Sequence, residues 1–339
     1  FAIFGYHLIG SNILISNRDL WDRKVRENFN HYYKLNHSNN IPDYKNKNIL
    51  QLLTFSLSAL AILGTLTENP FQHKLINNLI KFDTKEYLTQ NDCLIGLPSS
   101  GNMAMFLGII YIYCNDYLDF NVKPKLDNWV ELHSENINKF GFWTKDNNFS
   151  YKHFQNGYHQ YEILNYLNID LGYQNIINDN LERIVDDYYH YAPYPGGGSC
   201  YDYDAIFFLT NNFSSKNQHH KLLNGITKSV FKIQNLDGGF PESKFNNDIP
   251  ILNFFNSIRH LSLNKKIGLY ERCLVSISKL KFKNKRMKSH FDKYQKKWNE
   301  SSLWDSWFRM LLLARIDKFN NYNSFNSNFI NFPGIGFYN

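Results

Sequence analysis

Asp202 and Asp204 stand two residues apart in the run Ser199-Cys-Tyr-Asp-Tyr-Asp-Ala205, two carboxyl groups at the start of an apolar segment. A carboxyl held out of water has a raised pKa and can act as a general acid, a proton donor that needs no metal. The same frame recurs along the chain as Ser99-x-x-Asn102, Asn156-x-x-His159, Ser199-x-x-Asp202 and Ser302-x-x-Asp305, with Asp248 as the cap of a further copy. Each copy also reads as a helix-capping signature, in which a short polar side chain satisfies free backbone N–H groups. Two residues further on, the copies carry Ala104, Tyr161, Asp204, Asn253 and Trp307, so Asp204 is the one charged side chain at that position. Glu162 and Arg309 follow one and two positions later in their copies, where other copies are apolar, and could pair with Asp204. The expected catalytic set is Asp204, Asp202 and His159. The expected substrate-binding set is Asn102, Tyr161, Glu162, Tyr201, Trp304, Asp305, Trp307 and Arg309.

These residues need elements to hold them, and the sequence repeats with a period of roughly fifty residues. Strongly apolar helical segments begin near Asn48, Gly101, Asn156, Ser199, Pro250 and Ser302. More amphipathic segments lie between them, at 19–33, 71–82, 125–140, 174–189, 217–234 and 267–280. Apolar runs such as LLTFSLSALAILG, MAMFLGIIYIY and FRMLLLA suit helices buried on several sides, and the charged segments suit an outer layer. Gly-aromatic turns recur as FGFW (Phe140 to Trp143), DGGF (Asp237 to Phe240) and GIGF (Gly334 to Phe337). The expected architecture is all-α, an (α/α)6 toroid of six helical hairpins forming a single domain over 1–339, with an open solenoid as the structural alternative. In a toroid the inner helices run in one direction, which would gather their polar starts around one mouth.

Composition bounds the function. At 43% hydrophobic and 20% charged, the 339 residues can build a sizeable core. The 28 Phe and 23 Tyr could line a cavity with ring faces, although a biased codon composition would enrich the same residues. The net charge of +7 concentrates at Lys279 to Lys297, where eight Lys and one Arg face the single acid Asp292. This is a solvated surface or an attractor of phosphate, acidic glycan or an anionic membrane surface. It carries no nucleic-acid-binding motif. Cys93, Cys114, Cys200 and Cys273 form no CxxC pair, so a reduced, cytoplasmic setting is expected, with peripheral membrane contact at the basic segment. The apolar first fifteen residues are read as a truncated start or a packing segment.

On this period, and on the turn Gln234-Asn-Leu-Asp-Gly-Gly-Phe240, the chain resembles the terpenoid cyclase and protein prenyltransferase toroid superfamily. The turn looks like that family's QW motif, with Phe240 where Trp is usual. The resemblance implies that Gln234 caps a neighbouring helix and that the terminal ring packs under the next. Asp202-Tyr-Asp204-Ala205 is similar to the DxDD acid of class II terpene cyclases, with Asp204 in the position of the protonating Asp and Ala205 where the last Asp stands. The implied activity is cyclase-like or prenyltransferase-like chemistry on an isoprenoid. In the cyclase form no cofactor is required, and aromatic walls stabilise the cation.

Two other readings stay open. (α/α)6 polysaccharide lyases and glycosidases use an Asn or an acid with a His or Tyr base, types that Asn156 to Tyr161 supply, and Asp204 with Glu162 would make paired carboxylates on an acidic glycan. A non-catalytic scaffold or binding module would use the polar starts only as caps.

Overall fold

Helix is the only extended secondary structure among the described residues, as a 3.6-residue periodicity requires. The computed structural model describes residues 1–37, 42–146, 148–211, 219–246, 249–281, 286, 294–322 and 324–338. The helices are α1 (Ala2–Leu8), α2 (Ile13–Ser16), α3 (Arg18–Asn36), α4 (Lys47–Ile62), α5 (Lys74–Leu79), α6 (Thr84–Gln90), α7 (Ser100–Tyr117), α8 (Lys123–Glu135), α9 (Tyr151–Tyr166), α10 (Gln174–Ile184), α11 (Ser199–Leu209), α12 (His220–Ile233), α13 (Pro250–Arg259), α14 (Leu269–Lys281) and α15 (Leu303–Phe319). Two isolated bridges, Pro241 with Ser301 and Ile330 with Phe337, add the only β pairing among the described residues. None of the described helices is long and apolar enough to cross a membrane.

Each expected segment carries a helix, with local departures. The amphipathic stretch at 71–82 carries only the short α5, and α6 starts beyond it at Thr84; His73 and Asp83 each accept a backbone N–H of the turn that follows, from Leu75 and Glu86. Helix α9 starts at Tyr151, so Asn156 lies inside it. The chain divides into two units, one of Ala2–Lys145, Asn156–Leu171 and Asn326–Asn339, the other of Phe1, Asp146–Gln155 and Gly172–Phe325.

In the unit of Ala2–Lys145, α7 is buried along its length from Ser100 to Cys114, which its unbroken apolar run demands. It packs on the later part of α9 in parallel and in register. The Gly101 N–H donates to Asn156 Oδ1 (2.8 Å), Asn102 meets His159, and Gly108 faces Ile163. Two glycines make this approach possible. A Cβ at Gly101 would lie 1.8 Å from the Asn156 carbonyl oxygen, and one at Gly108 would lie 3.0 Å from Ile163. The FGFW turn closes the unit: Gly141 is left-handed (φ 82°), Trp143 Nε1 donates to the His133 carbonyl (2.8 Å), and Tyr161 Oη donates to the Gly141 carbonyl (2.9 Å).

In the unit of Gly172–Phe325, α11 and α15 are likewise parallel, with Ser199 against Asp305 at their starts and Thr210 against Arg315 near their ends. The QW-like turn latches the start of α15. Asn235 Nδ2 reaches Ser301 Oγ (2.8 Å), the Phe240 N–H donates to Ser306 Oγ (3.0 Å), and the Phe240 ring is buried. Gln234 bonds within its own turn, to the Gly238 carbonyl (2.8 Å), instead of capping a neighbouring helix.

The fifth apolar helix does not join that layer, since α15 packs directly on α11. Helix α13 buries its polar side, Asn253 and Ser257, and turns Ile251, Leu252, Phe255 and Ile258 outward. Asp248 and most of the basic segment from Lys279 to Lys297 lie outside the described residues.

The close approach of α7 to α9 sets a stability test. Gly101→Ala should cost about 3 kcal/mol or more from overpacking against backbone, whereas Gly5→Ala in α1, where nothing lies within 4 Å of the new methyl, should gain about 0.5–1 kcal/mol. Urea unfolding monitored by circular dichroism measures both.

Candidate functional site

The first turn of α11 is shaped by Pro195-Gly196-Gly197-Gly198, a loop that brings backbone where side chains would not fit. Gly196 and Gly197 are left-handed (φ 83° and 71°). A Cβ on Gly197 would lie 2.5 Å from Asp202 Oδ2 and 2.6 Å from His190 Nδ1. Asp202 is fully buried and fully engaged. Its Oδ2 accepts from His190 Nδ1 (2.9 Å) and from Arg309 Nη1, and its Oδ1 accepts from the Tyr191 N–H (2.7 Å). Burial alone would raise its pKa, but the Arg309 and His190 charges and hydrogen bonds outweigh it and hold the carboxyl below the usual range. Asp202 is therefore a fixed anion and not a proton donor. His190 is presented by a turn in which Asp186 Oδ1 accepts from the N–H groups of Tyr188 (2.9 Å) and His190 (2.8 Å).

The groups that can donate a proton lie one turn away. Ser199 is the first residue of α11, so its hydroxyl does not cap its own helix. It lies 2.7 Å from Asp305 Oδ1 and 3.1 Å from Glu242 Oε2. A hydroxyl has one proton and can serve one of these oxygens as donor, so the second carboxyl approaches at low cost only if it brings its own proton. Glu242 is that group. Its pKa is pushed up to about 8, by burial and then by the Asp305 charge and the hydrogen bond to Asp305. Tyr194 Oη donates to Glu242 Oε1 (2.7 Å), Arg286 reaches Asp305 Oδ2 (2.7 Å), and the Asp305 N–H is capped by Ser302 Oγ (3.1 Å). The Glu242 side chain keeps 14% of its surface exposed.

Rings surround the pair. Tyr194 meets Tyr201 (centroids 6.1 Å) and Trp298 (5.4 Å), while Trp304 donates Nε1 to Cys200 Sγ (3.1 Å) and packs on Phe1 (5.0 Å) and Phe308 (5.1 Å). Tyr194, Cys200, Tyr201, Trp298 and Trp304 are all part-exposed. The Cys200 thiol is pushed well up by burial and then by the Glu242 and Asp204 charges, so it stays neutral and is no nucleophile. Asp204 is buried one turn beyond Cys200 on the same face of α11, and Trp307 is buried in α15.

The other expected residues fall in the other unit. Asn102 Nδ2 donates to His159 Nε2 (2.7 Å), and burial followed by the Lys47 charge lowers the His159 pKa to about 3, which leaves the ring neutral. Tyr161 is spent on the FGFW turn, its ring 5.3 Å from Trp143. Glu162 is buried in α9. The structure thus joins Asp202 to Arg309 and Asp305 to Ser199 in one unit, and Asn102 to His159 in the other. Among the described residues no group of three His, Cys, Asp or Glu is arranged to hold a metal ion.

Comparison of the chain with protein-family models, with curated proteins and with solved structures finds no match. Glu242, His190, Tyr194 and Arg286 did not emerge from the sequence. The triple glycine before Ser199 was the available signal, because glycines in succession mark close backbone approach.

Glu242 should make stability pH-dependent. The native state keeps its proton up to about pH 8, whereas an unfolded chain loses it near the ordinary glutamate value of 4.5. Stability therefore falls as pH rises through that window. Glu242→Gln should remove a slope on the order of a few kcal/mol, so the variant gains on the parent as pH rises from 5 to 9. Urea midpoints across that range measure it, and parallel slopes in parent and variant would refute the raised pKa.

Proposed function

We propose that this chain is a metal-free acid catalyst of the terpenoid-cyclase kind, acting on an isoprenoid-type substrate, with Glu242 as the proton donor. The observation that carries the reading is a carboxylic acid kept protonated at neutral pH against a second carboxylate, among part-exposed aromatic rings. A pair of this kind donates a proton without metal help.

In the proposed step the Glu242 proton moves to one carbon of a C=C bond, whose π electrons form the new C–H bond. The cation left on the neighbouring carbon is stabilised by ring faces of Tyr201 and Trp304. The Glu242 carboxylate left behind is stabilised by the Tyr194 hydroxyl and the Arg286 charge, and it is reprotonated when the product cation loses a proton. Asp202, tied to Arg309 and His190, fixes α11 against α15 so that Ser199 and Asp305 stay aligned. The DxDD-like resemblance assigned the proton to Asp204. In the proposed step Glu242 takes that role, and Asp204 is the buried carboxyl one turn beyond Cys200.

An α/α toroid belongs to the same proposal, supported by two parallel, in-register helix pairs, α7 with α9 and α11 with α15. The outward-turned α13 departs from six equal repeats. The glycosidase reading draws less support from this site, because two carboxyls in hydrogen-bond contact are closer than the roughly 5 Å minimum that glycoside hydrolysis uses.

Mass spectrometry of products from pooled polyprenyl substrates and, separately, pooled acidic glycans tests the proposal. Conversion of an isoprenoid is expected, falling at least about 100-fold in Glu242→Gln and declining in the parent as pH passes 8, where Glu242 loses its proton. Full activity in Glu242→Gln with loss in Asp204→Asn would return the acid to Asp204. Glycan conversion, or none with either pool, would overturn the proposal.

A further inference from the structure

A cleft lies on the exposed side of α12, separate from the acid pair. Helix α12 reads HKLLNGITKSVFKI and contains no acidic residue. Its buried face is Leu223, Ile226, Val230 and Ile233, and on another face Lys221, Gly225, Lys228 and Lys232 recur at helical spacing. These four residues, with Tyr188 and Tyr189, line a cleft of ≈ 560 Å³, a volume in the usual range for small-molecule sites. The one acid on the lining is Asp187, which accepts a hydrogen bond from Ser262 Oγ (3.1 Å). The three lysines are exposed, and the ion pairs of this unit are made by other residues among those described.

Two features that cost stability coincide in this cleft. Gly225 sits inside a helix, where glycine is less favourable than alanine by about 0.5–1 kcal/mol. Tyr189 holds a left-handed backbone (φ 64°), which for a bulky residue costs on the order of 1 kcal/mol. They are coupled, because the Tyr189 ring occupies the space of the absent side chain: a Cβ on Gly225 would meet three of its ring atoms at 2.4–2.6 Å. The Tyr188 carbonyl is pinned to the same helix by Ser229 Oγ (2.7 Å), which fixes the turn against α12. A basic helix face needs neither a helix-breaking residue nor a strained tyrosine to be soluble. Together they seat an aromatic ring in a cleft lined by three exposed lysines.

The geometry points to a binding site for a phosphate or diphosphate ester, with Lys221, Lys228 and Lys232 receiving the anion and the Tyr189 ring flooring the cleft. Ammonium groups on flexible stems take phosphate as point charges and need no fixed fork. The ligand can be a soluble ester or a phosphomonoester lipid headgroup, which share this chemistry.

Titration of the whole chain with inorganic pyrophosphate, followed by calorimetry and ³¹P NMR at low salt, tests the site. One saturable equivalent is expected, with the Kd raised at least about 10-fold in Lys221→Gln/Lys228→Gln and likewise raised in Gly225→Ala, which keeps every charge but displaces Tyr189. A charge-matched double variant elsewhere, Lys85→Gln/Lys145→Gln, should leave the Kd within about twofold, and circular dichroism verifies that each variant is folded. Sedimentation with phosphatidylcholine vesicles carrying phosphatidic acid, competed by pyrophosphate, would identify the lipid source. Pyrophosphate binding without sedimentation would identify a soluble ester. No saturable binding, equal weakening in the distant double variant, or unchanged binding in Gly225→Ala would overturn the inference.

Discussion

The ion pair between Asp202 and Arg309 is the contact on which the rest of its unit depends. Both side chains are fully buried, and an unpaired charge at such depth would cost several kcal/mol. Helices α11 and α15 can therefore pack only in the register that brings these two together. That register sets Ser199 against Asp305 one turn earlier, and burial together with the Asp305 charge keeps the proton on Glu242. A single satisfied charge pair thus makes a second, strained carboxyl pair geometrically available.

The two carboxyl systems show how environment divides labour between chemically similar groups. Asp202 receives a guanidinium, an imidazole and a backbone N–H, and its negative charge is stabilised beyond what water would offer. Glu242 is buried and faces the Asp305 charge, which together outweigh the Arg286 charge and the Tyr194 hydroxyl, and its negative charge is disfavoured. One is an anchor and the other a proton store, and they lie on either side of the same helix start. The Asp186–His190 turn serves both sides of the unit, sending His190 inward to Asp202 while its strained Tyr189 faces α12.

Much of the helical layer was legible. Apolar runs such as that of α7 require burial, amphipathic runs require a surface, and the expected segments carry helices. Local capping was legible where the partner is local, as at Ser302, whose hydroxyl accepts the Asp305 N–H three residues on. It was not legible where the partner is distant. Asn156 lies within α9 and satisfies the Gly101 N–H of α7, and Ser199 gives its hydroxyl to carboxyls far along the chain. At Asn156 and Ser199 the polar side chains serve other elements in place of their own helix starts.

What the sequence by itself determined is helix content, approximate boundaries and the presence of a carboxyl-rich helix start at Asp202 and Asp204, because these follow from interactions within a few residues. Tertiary structure alone decided that Asp202 is a fixed anion, that Glu242 carries the proton, and that α13 turns its apolar face outward. The reason is physical. A carboxyl group's protonation depends on its burial and on charges within a few ångströms. Those neighbours come in large part from residues 43 to 106 positions away, as with Ser199 and Glu242 (43 apart) or Ser199 and Asp305 (106 apart), and no local pattern encodes them.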